Sequence, residues 1–150
     1  MEIVRKIIIL IALATSLLAN DIFVKESQCS VDETVRNVKK ILKAKGLSIF
    51  ATINHMENAK MVDMKLNESK MVIFGNPKLG TTLMQQDMRV GLDLPLRILV
   101  YKDKQGRVRM AYRNGSWLGD KHVIDAPKKI KKINKGMDNI TTRAGQCKKD

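Results

Sequence analysis

The chain has 150 residues, 44% of them apolar, which is room for one domain with one core. Its 28 Lys and Arg against 15 Asp and Glu give a net charge of +13, yet only three Phe, two Tyr and one Trp are available to stack on bases. That balance argues against nucleic acid and leaves two readings of the basic charge, a solvated lysine-rich surface with no partner, or an acidic surface or small anion as its partner.

Met1 to Lys6 carries Arg5 and Lys6, and Ile7 to Leu18 is a run of twelve uncharged residues. Ser16-Leu17-Leu18-Ala19 then brings small residues ahead of the polar Asn20-Asp21. This is the layout of a secretory signal peptide over residues 1–19, with cleavage expected near Ala19. A membrane-spanning helix needs about 20 apolar residues, so no transmembrane segment is expected once the signal is removed. A periplasmic or secreted domain over residues 20–144 follows, with 145–150 as a loose C-terminal tail.

Ile22 to Glu26 is β-prone and reads as a first strand. Ser30-Val31-Asp32-Glu33 has the form of a capping box, in which Ser30 caps and Glu33 reaches back. The helix it opens, over 31–45, places Val31, Val35, Val38, Ile41 and Leu42 on one side, and Gly46 is set to end it. Leu47 to Asn54 alternates with period two and is expected to be a strand, followed by a turn or one helical turn over His55–Lys60. Lys70 to Gly75 is a short apolar run suited to a central strand. Asn76-Pro77 then opens a helix expected to reach Met88.

Leu94–Lys102 and Arg107–Arg113 are two strands joined by Asp103-Lys104-Gln105-Gly106, a hairpin connection. Asn114-Gly115 turns the chain into a short helix over Ser116–His122. Asp125-Ala126-Pro127 opens the last helix, with Ile130, Ile133, Met137, Ile140 and Ala144 as its stripe and a lysine-rich outer side. The order β-α-β-β-(α)-β-β-α makes this an α+β fold, a curved antiparallel sheet of about five strands with two main helices on one face. Its other face then awaits the short helices, a partner chain or a ligand. Cys29 and Cys147 lie beside the first and last helices. In an oxidising compartment they are candidates for a disulfide that staples the tail to the body, with free thiols as the alternative.

Four segments, V-K-E-S-x-x-S-V-D-E-T-V (24–35), G-L-S-I-F-A-T-I-N-H (46–55), I-F-G-N-P-K-L-G-T-T-L-M (73–84) and G-L-D-L-P-L-R-I-L-V-Y (91–101), resemble the domain-of-unknown-function family numbered 302. The resemblance runs over roughly residues 22–124. It implies a TATA-binding-protein-like α+β fold and a homodimer, and it implies no settled activity or cofactor; a shared fold carries no DNA binding with it. Cys29 stands where the family often has a polar residue such as His, and Asn54 stands where Asp often precedes the His.

The strongest site signal is Gly75-Asn76-Pro77-Lys78, where a strand ends and a helix begins; such an end attracts anions, and it also needs these residues simply for capping. With segment ends converging there, a ligand cleft lined by His55, Asn76, Lys78, Thr81, Met84 and Asp93 is expected, in a binding module for a small anionic ligand or an acidic partner. The alternatives are an enzyme using His55 as acid or base, and an interaction protein docking by its basic last helix. His55 and His122 are weak metal candidates, because the two lack any ligand spacing and most methionines fill core positions.

Overall fold

The computed structural model describes residues 21–147; the expected signal peptide, residues 1–19, falls outside the described residues. Five strands, β1 (Phe23–Ser27), β2 (Ser48–Asn54), β3 (Ser69–Gly75), β4 (Leu96–Lys102) and β5 (Val108–Tyr112), form one antiparallel sheet in the order β1-β5-β4-β3-β2. The helices are α1 (Val31–Ala44), α2 (His55–Lys60), α3 (Pro77–Met84), α4 (Gly115–Lys121) and α5 (Pro127–Ala144). The fold is the expected α+β architecture, with α1 and α5 on one face of the sheet.

Alternation along the strands decides which face is covered. Val72, Phe74, Ile98, Val100 and Met110 are all buried and share one face by register. Against them pack Val31, Val38 and Leu42 of α1 and Ile133, Met137 and Ile140 of α5. Burial of each such side chain is worth about 1.5–3 kcal/mol, and this stripe-on-sheet contact is the main source of stability. The opposite face carries Val24, Met71, Ile73, Leu99 and Ala111; Val24 is 46% exposed and the others are half-buried, while the stripes of α1 and α5 pack on the other face.

Local signals set the element ends. Ser30 Oγ accepts from the Glu33 N–H at 3.2 Å, the expected N-cap. The reciprocal arm of the capping box is absent among the described hydrogen bonds; the Glu33 carboxylate instead lies within 4.8 Å of the Cys29 and Cys147 sulfurs. Gly46 takes φ +66°, the left-handed conformation that ends α1.

Two expectations need correction. The helix from Asn76-Pro77 stops at Met84 rather than Met88, and a separate 3-10 turn spans Met88–Leu92. Asp87 causes the break: its carboxylate accepts from the Arg89 N–H and from the distant Val123 N–H, which draws the backbone out of the helix. The segment read as a loose tail from 145 is also tied down through Cys147. The Gly145 carbonyl accepts from Gln28 N–H at 2.8 Å, and Cys29 and Cys147 are joined in a disulfide with Cα atoms 5.5 Å apart.

Candidate functional site

The end of β3 and the start of α3 form the wall of a groove. Asn76 Oδ1 accepts from the Leu79 N–H at 3.1 Å, so the side chain is engaged as the α3 cap, and Pro77 supplies the first helical residue without an orphan donor. On one side of this wall, beneath α5, lies a cavity of about 480 Å³, within the size range of small-molecule sites. Leu47, Phe74, Leu79, Ile133, Met137 and Ile140 give it an apolar floor. Its rim holds Lys45, Lys132 and Lys135, with no carboxylate among the lining residues, so the local field favours an anion. Gly136 of α5 also lines it, and a Cβ placed there would meet nothing within 4 Å.

A second hollow of about 250 Å³ adjoins on the other side of the wall, sharing Gly75, Asn76, Leu79 and Leu96 with the first. It is lined by Phe50, Thr81, Met84, Leu94 and Pro95 and is mainly apolar. Three of the expected site residues, Asn76, Thr81 and Met84, therefore meet here. Lys78 is exposed on the first turn of α3 and lines neither space.

His55 does not join them. Asn54 pairs with Lys70, while Ser48 pairs with Gly75 at the far end of the same two strands. Five residues of strand separate these ends, about 17 Å. In an antiparallel pair the residue after one strand and the residue after the next must lie at opposite ends.

Asp93 turns toward His122 instead. His122 Nε2 lies 2.6 Å from Asp93 Oδ2, and its Nδ1 lies 3.7 Å from Asp87 Oδ2, with the imidazole and the Asp87 carboxylate almost wholly buried. Asp87 in turn accepts two N–H bonds from the Arg89 guanidinium, each at 3.0 Å. That guanidinium, followed by the Val123 N–H, holds the Asp87 carboxyl well below the usual carboxylate range. The weak metal candidates His55 and His122 are thus apart, and His122 is engaged by carboxylates.

The lysine rim and Asp87 were not among the expected site residues, and Asp93 and His122 were expected in different roles, Asp93 in the ligand cleft and His122 as a weak metal candidate, rather than paired with each other. Gly136, a helix-weakening residue inside α5 next to its apolar stripe, was the available sign of the rim. For the pairing, 29 residues separate Asp93 from His122, and no local pattern joins them.

Comparison with known proteins places this geometry in context. The family described as "Domain of unknown function DUF302" matches residues 23–143. Among curated proteins, fluoride-specific ion channel FluC 1 of Brucella suis biovar 1 is 35% identical over 109 residues, 73% of this chain and 43% of that protein. FluC 1 of Brucella abortus biovar 1 is equally similar, with 40% of its length matched, so this chain spans about two fifths of the curated relatives. A solved structure, the uncharacterized conserved protein DUF302 from Bacillus stearothermophilus, superposes with a TM-score of 0.66 at 15% identity, covering 84% of this chain and 96% of that one. At that identity the likeness concerns the fold.

Proposed function

The chain belongs to the domain of unknown function family DUF302, and from that premise we propose that it is an exported binding module for a small anionic amphiphile. The apolar body of the ligand lies on Phe74, Ile133, Met137 and Ile140, and its anionic head lies against Lys45, Lys132 and Lys135. The observation that carries this reading is the groove itself, about 480 Å³ of apolar floor with a rim of lysines and no acid. The adjoining hollow at Thr81 and Met84 gives a longer chain room to continue. The disulfide supports an oxidising compartment, in keeping with the signal-like layout of residues 1–19. The curated relatives are named fluoride-specific ion channels; channel activity is no part of this reading, which rests on the matched domain alone.

Straight-chain carboxylates from hexanoate to decanoate test it by isothermal titration calorimetry. Each added buried methylene is worth about 0.8 kcal/mol, so affinity is expected to rise about fourfold per methylene until the groove is full. Gly136→Leu sends a side chain into the open space and is expected to abolish binding without loss of fold. Lys132→Gln with Lys135→Gln weakens every member of the series alike. Affinity independent of chain length, or binding that survives Gly136→Leu, contradicts the proposal.

A further inference from the structure

A third hollow, of about 210 Å³, opens near the Leu96 end of the sheet face opposite α1 and α5 and shares only Leu96 with the two spaces above. Met71, Leu99 and Ala111 line it, with Asp93, Arg97 and Arg113 as its charged groups. Ile98 pairs with Tyr112, so one further step of the β4–β5 register sets Arg97 opposite Arg113 on the same face. Like charges directly opposed on neighbouring strands destabilise a sheet. Arg89, Arg107 and Arg109 each have a carboxylate partner, whereas Arg97 and Arg113, like Arg36 and Arg143 on the helices, have none among the described residues.

Both guanidiniums are nonetheless placed. Arg113 lies over the Trp117 ring, 4.3 Å from its centroid, an arrangement that occupies the face of the guanidinium and leaves its N–H edges free. Arg97 donates one N–H to the Leu92 carbonyl at 3.2 Å and keeps the rest. Asp93 is held by His122 through Oδ2, and its Oδ1 takes no hydrogen bond among the described residues. His122 is backed by Asp87, and Asp87 by Arg89 and the Val123 N–H. A carboxylate held at 2.6 Å by a buried imidazole is a positioned acceptor rather than a loose surface acid.

We propose that this hollow is a second site, for a small apolar α-amino acid. Its carboxylate spans Arg97 and Arg113, in the forked recognition that guanidinium favours. Its ammonium donates to Asp93 Oδ1, and its side chain rests on Met71 and Leu99. The volume is below that of drug-sized sites and suits a ligand of this class.

The chain supplies its own reporters. Trp117, its only tryptophan, lines the hollow, and His122 is one of only two histidines, with His55 at the other end of the sheet as internal control. The purified protein is titrated with L-leucine, with 4-methylpentanoate, which lacks the amine, and with 3-methylbutylamine, which lacks the carboxylate. Leucine is expected to change Trp117 emission saturably and to move the His122 ring proton resonances while those of His55 stay in place. Each half-analogue is expected to bind at least about tenfold more weakly, and Arg97→Gln to weaken leucine by about tenfold to a hundredfold. Arg97 is exposed, so its replacement leaves the fold intact as judged by circular dichroism. Asp93→Asn removes the preference of leucine over 4-methylpentanoate, and Gly136→Leu, which closes the other groove, leaves leucine binding unchanged. The proposal is overturned if leucine gives no saturable change, or binds no tighter than 4-methylpentanoate. It is equally overturned if Trp117 emission follows protein concentration instead of ligand, since a second copy then serves the arginines.

Discussion

Reduction of the Cys29–Cys147 disulfide is expected to lower the stability of the domain by about 4–5 kcal/mol, the largest single effect anticipated for this protein. The bridge joins residues 118 apart and closes nearly the whole described chain into one ring. Its effect lies chiefly in the unfolded state, which loses more conformations as the closed loop lengthens. In the folded state the same junction is supported by Gln28 N–H donating to the Gly145 carbonyl and by Asn37 Nδ2 donating to the Ala144 carbonyl at 3.2 Å. These bonds hold the end of α5 beside β1 and allow the reduced protein to keep its fold while it becomes easier to unfold. Cys29→Ala with Cys147→Ala, compared with the oxidised protein in a thermal melt, is expected to lose about 16–20 °C, taking about 4 °C per kcal/mol for a domain of this size. Coincident melts would refute the assignment of stability to this ring.

Gly115→Val is expected to cost about 3 kcal/mol or more, and Gly115→Ala most of that, because α4 and α5 meet there with no space between them. A Cβ on Gly115 would lie 2.6 Å from the Ile130 carbonyl oxygen and 3.0 Å from both Ile133 Cβ and Asn134 Oδ1. The first neighbour is backbone and cannot rotate aside. Asn134 clamps the contact by accepting from Ser116 N–H and donating to Ser116 Oγ, so moving the helices apart also costs these two bonds. Gly136 is the matched control. It sits inside α5 with nothing within 4 Å of its Cβ position, and Gly136→Ala is expected to stabilise by about 1 kcal/mol through helix propensity alone. Urea unfolding of the two alanine variants should therefore shift in opposite directions. A neutral Gly115→Ala would mean that α4 is not packed as described.

Most of the fold was legible in the chain because its signals are local. The Ser30 cap and the valine stripe define α1, period-two alternation defines β2, and the Gly106 turn defines the β4–β5 hairpin. Misreadings came where a distant residue decides. Asp87 ends the helical stretch through Val123, a contact across 36 residues, and residues 145–147 of the tail are held by the bridge to Cys29. The start of β4 moves to Leu96 because Pro95 has no N–H to give the ladder.

The site was legible in part. The G-N-P-K segment marks the wall of the groove because a strand end and a helix cap need these residues. The lysine rim is harder to see, since Lys45 and Lys132 are brought together only when α1 and α5 pack side by side. Grouping His55 with Asn76 overlooked the direction of the strands. The topology already inferred, β2 running out and β3 running back, excludes that pairing.

The account turns on whether the groove beneath α5 takes an apolar chain. Protein labelled at the methionine methyl groups answers this directly, since Met137 lines the groove, Met84 the adjoining hollow and Met71 the opposite face of the sheet. With decanoate bound, nuclear Overhauser contacts are expected from the ligand methylenes to the Met137 methyl, extending to Met84, and none to Met71. Contacts to Met71 with Met137 silent would contradict the account.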